Sequence, residues 1–369
     1  MKILINPIKM EYSEPVNSVE SIRIRSHQLG NPEFNEPEKL VAWMGAIQAQ
    51  DYSMSKWALG VRLQSATVVD VEAALSAGKI LRTHVMRPTW HLVAAEDIRW
   101  MLQLSGERIK SSAASRDRNL EITGELYSKC NRLIEKILEG NNHLTRQELA
   151  LELTKAGIAA DTSRMTHFMM RAEVEGIVCS GIDRGNRQTY ALIDERVPPA
   201  KTLHREEALA TLATKYFRSH SPAGLQDFAW WSGLSVGNAR QAVHLIQPEL
   251  FTVMFHESLL FVHQSYRGEL ESPDTFHFLP AFDEYIIAYK DRTGVLDTEY
   301  QMKAFSKNGI FHPVIASNGR IAGTWQKTAS KNRITVKPAF FDAANTDENR
   351  MKIAENRYRA FFMDKMING

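Results

Sequence analysis

Two glutamines one residue apart stand out as a possible chemical element: Gln48 and Gln50, in Ile47-Gln48-Ala49-Gln50-Asp51. A carboxamide offers one acceptor oxygen and two N–H donors, and it does not titrate near neutrality. Two of them converging on one spot can hold a water at ~2.6–3.2 Å and fix its direction of attack. Convergence depends on the backbone. On a helix each residue turns about 100°, so positions two apart point away from each other. On an extended segment they share a face. The pair therefore needs the preceding helix to end near Gln48, and Asp51-Tyr52-Ser53 suits such an ending. Taken alone, glutamines beside a helix end are ordinarily solvated. Asp51 reads as a turn or helix cap.

A second set of candidates is basic. Arg87 and His91 lie in Met86-Arg87-Pro88-Thr89-Trp90-His91, around the turn of a hairpin whose first arm carries Arg82. By themselves these read as a solvated arginine and a hydrogen-bonded interior histidine. Arg164, His167 and Arg171 fall on one helix, and Arg184 and Arg187 on the turn of the hairpin after it. Basic residues on helices are most often simply solvated. Trp230-Trp231 and Phe361-Phe362 read as core rather than as stacking platforms.

Other chemistries leave no mark. There is no Walker loop, no G-x-G-x-x-G after a strand, no H-E-x-x-H and no G-x-S-x-G. None of the twelve histidines has metal-ligand spacing. No lysine is marked as a Schiff-base nucleophile. Cys130 and Cys179 read as small buried apolar residues in a reducing compartment. The charge balance is 45 basic against 43 acidic residues, net +2, so any nucleic-acid binding must rest on charge gathered on one surface. The longest apolar run, residues 41–47, is too short for a membrane span. Residues 1–14 lack the pattern of a secretory signal.

Three segments share one plan of helix, second helix and hairpin. The middle one is clearest. Residues 124–138 have helical spacing, Thr145-Arg146-Gln147-Glu148 is a capping box, a further helix runs from about 162 to 176, and β-rich runs at 177–182 and 188–193 flank a Gly-containing turn. In the first, residues 36–48 read as a helix, 70–77 as a short helix, 81–93 as a hairpin and 95–104 as a helix. In the third, residues 203–217 are helical, Ser221-Pro222 reads as the cap and first position of the next helix, Ser235 starts another, and 251–263 form a hairpin. Pro198-Pro199-Ala200 suits a linker. Short strands at 309–316, 320–326 and 333–337 and a helix at 347–366 close the chain. The expected fold class is mainly α with β-hairpins (α+β). The expected units are 18–123, 124–200, 201–275 and a β-rich subdomain at 276–369.

Five stretches together carry a resemblance over about residues 18–365. They are Gly45-Ala46-Ile47-Gln48-Ala49-Gln50, Met86-Arg87-Pro88-Thr89-Trp90-His91-Leu92-Val93, Leu279-Pro280-Ala281-Phe282-Asp283-Glu284-Tyr285, Tyr289-Lys290-Asp291-Arg292 and Ile334-Thr335-Val336-Lys337-Pro338. The chain resembles the bacterial family of winged-helix DNA-binding domain-containing proteins, whose characterised members are DNA glycosylases of the AlkZ and YcaQ type. The resemblance implies three tandem winged helices around a concave, DNA-sized channel. It implies a catalytic Gln-x-Gln or Gln-x-Asp motif, and Gln48-Ala49-Gln50 is similar to the Gln-x-Gln branch. That branch is associated with release of bulky N7-alkylpurines and unhooking of interstrand crosslinks. Pro88 departs from the glycine usual in the family at the hairpin tip.

The implied catalytic residues are Gln48 and Gln50. The implied DNA contacts are Arg82, Arg87, His91, Arg164, His167, Arg171, Arg184 and Arg187. No metal or organic cofactor is implied. The expected partner is double-stranded DNA carrying alkylated purines, met by a monomer in the cytoplasm, on the nucleoid when bound. An N7-alkylated purine is cationic and departs neutral, so excision needs a placed water rather than a strong acid, and proceeds without strand cleavage. The competing reading is a non-catalytic winged-helix transcriptional regulator, since fold does not fix function. A paralogue that binds damage without excising it is a third.

Overall fold

The protein is seen in a computed structural model that describes residues 18–199, 202–268, 274–330, 333–342 and 347–367. Residues 1–14 and Ala200, considered above for a signal and a linker, lie outside that set.

One series of elements recurs three times. After α1 (Val19–Ser26), the first series is α2 (Pro37–Met44), β1 (Ile47–Gln48), α3 (Tyr52–Gly60), α4 (Val68–Ser76), β2 (Ile80–His84) and β3 (Trp90–Ala94). Its sheet is antiparallel in the order β1-β3-β2. The long α5 (Ala95–Asn119) leads on. The second series is α6 (Gly124–Leu138), β4 (Leu144–Thr145), α7 (Arg146–Lys155), α8 (Thr162–Val174), β5 (Val178–Ser180) and β6 (Thr189–Leu192), with sheet order β4-β6-β5, then the short α9 (Ile193–Arg196). The third is α10 (Arg205–His220), α11 (Leu225–Ser232), α12 (Val236–Leu245), β7 (Leu250–Phe255) and β8 (Ser258–His263). Here an isolated bridge, Ala223 to Phe261, stands where the earlier series have a short strand.

The chain closes with β9 (Phe276–Leu279), α13 (Glu284–Ile287), α14 (Gln301–Ala304), β10 (Val314–Ser317), β11 (Arg320–Ser330), β12 (Arg333–Phe340) and α15 (Glu348–Ile367). These strands form one antiparallel sheet, β12-β11-β10-β9. The sheet and α15 share a core with the first series: Trp57, Trp325, Tyr358 and Phe361 pack ring on ring. Gly60 is required there, because a Cβ would lie 2.4 Å from the Phe361 ring. A second core joins the β2–β3 hairpin to α5 and to α10, α11 and α12, and the second series holds its own.

Local signals account for many of the elements. Thr145 and Glu148 form the capping box, with Thr145 N–H donating to Glu148 Oε2 at 2.7 Å. Asp51 caps α3 through Met54 N–H at 3.0 Å. Several expectations need correction, among them the strand read over 309–316, which begins only at Val314. The helix read over 36–48 stops at Met44, because Gly45 turns the chain at φ 78° and Ile47–Gln48 joins the sheet instead. In the sequence only the cap of helix α3 is marked, at Asp51, and not the helix that follows it. The helix read over 95–104 runs on to Asn119. Ser221 does not start a helix: its hydroxyl bonds back to the Phe217 carbonyl and accepts from His263 N–H at 2.9 Å, and α11 begins at Leu225.

Candidate active site

The site is built on the shortest strand of the first sheet. β1 is an edge strand, with Ile47 opposite Leu92 and Gln48 opposite His91. Ala49 N–H then donates to the Trp90 carbonyl at 2.7 Å. Donors alternate along extended backbone, so Gln48 N–H faces the open edge of the sheet. It meets Glu284 Oε1 there, at 2.6 Å.

The Gln48 side chain is held as well. Its Oε1 accepts from Arg87 Nη2 at 2.8 Å, and Gln48 is only 6% exposed. The same Arg87 nitrogen lies 3.4 Å from His91 Nε2. His91 Nδ1 lies 2.9 Å from the Thr89 carbonyl, so it carries the proton and Nε2 is the acceptor facing Arg87. Burial and the Arg87 charge push the His91 pKa down to about 3, and the ring is neutral.

Glu284 is fully buried. Its Oε2 accepts from Trp231 Nε1 at 3.0 Å and lies 3.7 Å from His220 Nε2. Burial alone would push its carboxyl up. The His220 imidazole, the Arg87 charge and the Gln48 N–H outweigh that and hold it below the usual carboxylate range. Its neighbour Asp283 is gripped by both Arg62 terminal nitrogens, at 2.9 and 2.6 Å, and caps α13 through Tyr285 N–H at 2.8 Å. One acidic pair thus ties β1 and the segment just after α3 to α13.

Arg82 faces inward. Its Nε and Nη2 donate to the Ala49 carbonyl at 3.1 and 2.9 Å, its Nη1 reaches Gln188 Oε1 at 2.9 Å, and its guanidinium covers the Trp90 ring 4.2 Å from the centroid. The residue between the two glutamines is therefore fixed at both its N–H and its carbonyl. Ala49 is buried, while Gln50 is exposed. β1 ends at Gln48 and the chain bends at Gln50, so the exposed Gln50 side chain lies just beyond the strand that carries Gln48.

The remaining basic residues lie elsewhere. Arg164 is near Glu121 and Asp161, at 3.6 and 3.7 Å. His167 meets Asp117 of α5 at 2.6 Å, and Arg171 pairs with Glu175. Glu173 of the same helix bonds His84 of β2. These contacts turn α8 toward α5 and β2, so Arg164, His167 and Arg171 are engaged within the chain and not offered freely to a groove. Arg184 pairs with Glu148, and Arg187 is exposed at the turn between β5 and β6. Trp231 is core, as expected. Trp230 is not: it is 44% exposed and donates to the Ile287 carbonyl at 2.9 Å. Among the described residues, no cluster of His, Cys, Asp and Glu could hold a metal, and no helix is long and apolar enough to cross a membrane.

A family model described as DNA glycosylase AlkZ-like matches residues 41–360, which span the glutamine pair, the first hairpin and the Asp283-Glu284 segment. The chain belongs to the AlkZ-like DNA glycosylase family. A Streptomyces sahachiroi protein described as an interstrand DNA cross-link repair glycosylase is 24% identical over 302 residues, covering 78% of this chain and 81% of the relative. The solved structure of Streptomyces sahachiroi DNA glycosylase AlkZ superposes with a TM-score of 0.77 at 22% identity, covering 93% of this chain and 95% of that one. At that identity the superposition establishes a shared fold.

Membership of the AlkZ-like family makes this chain an enzyme, a DNA glycosylase. The structure also brings Glu284 to Gln48, a relation that residue spacing does not reveal. Within the AlkZ-like chain the two stand 236 positions apart. The one sequence signal was the acidic pair Asp283-Glu284 inside an otherwise apolar stretch.

Proposed function

We propose that the protein hydrolyses the N-glycosidic bond of N7-alkylated purines in double-stranded DNA, using a water held between Gln48 and Gln50. The observation that carries this reading is the double hold on Gln48, side-chain oxygen on Arg87 and main-chain N–H on Glu284, with an exposed Gln50 two positions further along the chain. With its oxygen engaged by a cation, Gln48 has N–H donors to spare. Gln50 supplies the better acceptor for the water's proton. The water is thus oriented from two sides with no titrating group.

The chemistry balances simply. The bond from C1′ to the purine breaks with its electron pair going to the ring, which neutralises the cation created by alkylation. The water oxygen bonds to C1′ of an oxocarbenium-like sugar, and the water proton, hydrogen-bonded to the Gln50 oxygen during attack, is released directly to solvent. The products are a neutral base and an abasic site. An unmodified purine would depart as an anion, so selectivity for cationic lesions follows from the absence of a strong acid. The proposed reaction uses no Schiff base, and the strand is left intact.

The three recurring series are proposed to be winged helices, in units 18–123, 124–200 and 201–275, with 276–369 as a closing subdomain. They would line a shallow channel that one chain can place around a duplex, in the cytoplasm. Such a channel suits bulky and crosslinked bases, which cannot be flipped fully into a pocket. The cross-link repair activity in the name of the similar Streptomyces protein supports including that substrate. For phosphate contacts, Arg184 and Arg187 are the residues we retain. Arg82, Arg87 and His91 are assigned to holding the glutamine pair, and Arg164, His167 and Arg171 to holding the second series.

The test is a panel of duplexes carrying N7-methylguanine, a bulky N7 adduct, an interstrand crosslink or no damage. Abasic sites are expected in the first three and not in the fourth. Protection of one defined sequence with no base released would make the protein a regulator instead.

A further inference from the structure

The geometry points to Glu284 as a positioning residue for the reaction: its buried carboxylate sets the edge of β1 and so the orientation of Gln48. This rests on the glutamine-held water proposed above.

Three observations carry it. First, β1 has only two residues and one neighbouring strand, and while Trp90 and Arg82 hold Ala49 beside it, the outer edge at the Gln48 main chain is met by Glu284. Its outward N–H, from Gln48, would be a buried orphan donor without Glu284. Second, two N–H groups converge on this side chain, Gln48 N on Oε1 at 2.6 Å and Trp231 Nε1 on Oε2 at 3.0 Å. Only an ionised carboxylate presents an acceptor to both. A glutamine there would have to aim its NH2 at one of the two donors. Third, Glu284 stands at the junction of the molecule's two large cores. Asp283 beside it is locked to Arg62 of the first, and Trp231 comes from the second. Through this side chain Trp231 of the third series is linked to the main chain of the first strand. Gly233, which ends α11, completes the seat: a Cβ there would lie 2.2 Å from the Met86 carbonyl, next to Arg87.

The experiment is single-turnover excision of N7-methylguanine from a duplex by the full chain, with duplex affinity measured in parallel. Glu284→Gln is expected to slow excision tenfold or more while changing affinity less than about threefold. In a Gln48→Ala background the same substitution is expected to change the rate by less than about twofold, because its effect passes through Gln48. An equal loss in that background, or none in the parent, overturns the proposal. In a Trp231→Phe background one of the two donors is gone, and the glutamine oxygen can turn to Gln48 N–H. There, Glu284→Gln is expected to stay within about threefold of Trp231→Phe alone. A tenfold loss in that background would assign the effect to charge rather than position and overturn the proposal. This pair also decides the matter should Glu284→Gln alone not fold. Gln48→Ala by itself separates the two readings. A wild-type rate for it removes the glutamine mechanism and Glu284's role together. A slow Gln48→Ala beside a fast Glu284→Gln removes only the role of Glu284.

Discussion

Arg87 donates to the side-chain oxygen of Gln48 at 2.8 Å, from the turn of a hairpin whose second strand places His91 opposite the same glutamine. A residue expected to reach toward phosphate instead has its guanidinium directed at a neutral amide. Burial lowers the Arg87 pKa, with Glu284 acting the other way, and the side chain remains a cation. The amide is thereby held in one rotamer before any substrate arrives.

Arg87→Ala is accordingly expected to slow excision by about 10–100-fold, the usual consequence of a slightly misplaced reacting group. The salt dependence of duplex binding should be unchanged, since the guanidinium is committed within the protein. Rates under single turnover and affinities at several salt concentrations check this together. A salt slope smaller by about one unit, with affinity falling as far as rate, would return Arg87 to the phosphate contacts.

The rate should be nearly independent of pH between about 6 and 9. The glutamines do not titrate, and His91 is neutral throughout because its pKa lies at about 3. Glu284, held below the usual carboxylate range, stays ionised across the same span. A bell-shaped profile with an inflection near neutrality would require a titrating acid or base that this site lacks.

Stability, in contrast, should fall in acid. His91 and His277 are buried, and burial pushes both pKa values down to about 3, against 6.5 for an exposed histidine. Between those values the unfolded chain binds more protons than the folded one, so stability is full above 6.5 and declines as pH drops through the window. Each histidine contributes a loss of about 2 kcal/mol on going from neutrality to pH 5. His27 and His220 are shifted the same way by burial and add to the trend. Urea unfolding at neutrality and at pH 5 measures it, and His277→Asn should remove one histidine's share. Equal stability at the two pH values would contradict this account.

What the sequence disclosed follows the reach of each interaction. The box at Thr145 and Glu148 and the helix over 124–138 depend on neighbours three or four residues away, and both were legible. The end of α2 was not. Gly45 is a local stop signal, but apolar residues continue through Ala46 and Ile47, and it is pairing with Trp90–Ala94, over forty positions on, that makes that segment a strand. The helix α3 escaped because every residue from Met54 to Gly60 is buried, which erases the one-sided period that marks a surface helix. At the site, the glutamine pair was visible as spacing. Its supports were not: Arg82 on the Ala49 carbonyl is 33 positions away and Glu284 is 236. For Arg164 and His167 the distant acids Glu121 and Asp117 were hidden by sequence separation, whereas Asp161 and Glu175 stand only three and four positions from Arg164 and Arg171 and were legible as local pairs.

The most direct measurement is single-turnover release of N7-methylguanine by the Gln48→Ala, Gln50→Ala double variant, with thermal unfolding and duplex affinity recorded alongside. The account predicts a folded protein that binds the damaged duplex much as before and excises at least a hundredfold more slowly, because the proposed mechanism assigns orientation of the water to these two amides. Release at the parent rate would contradict it.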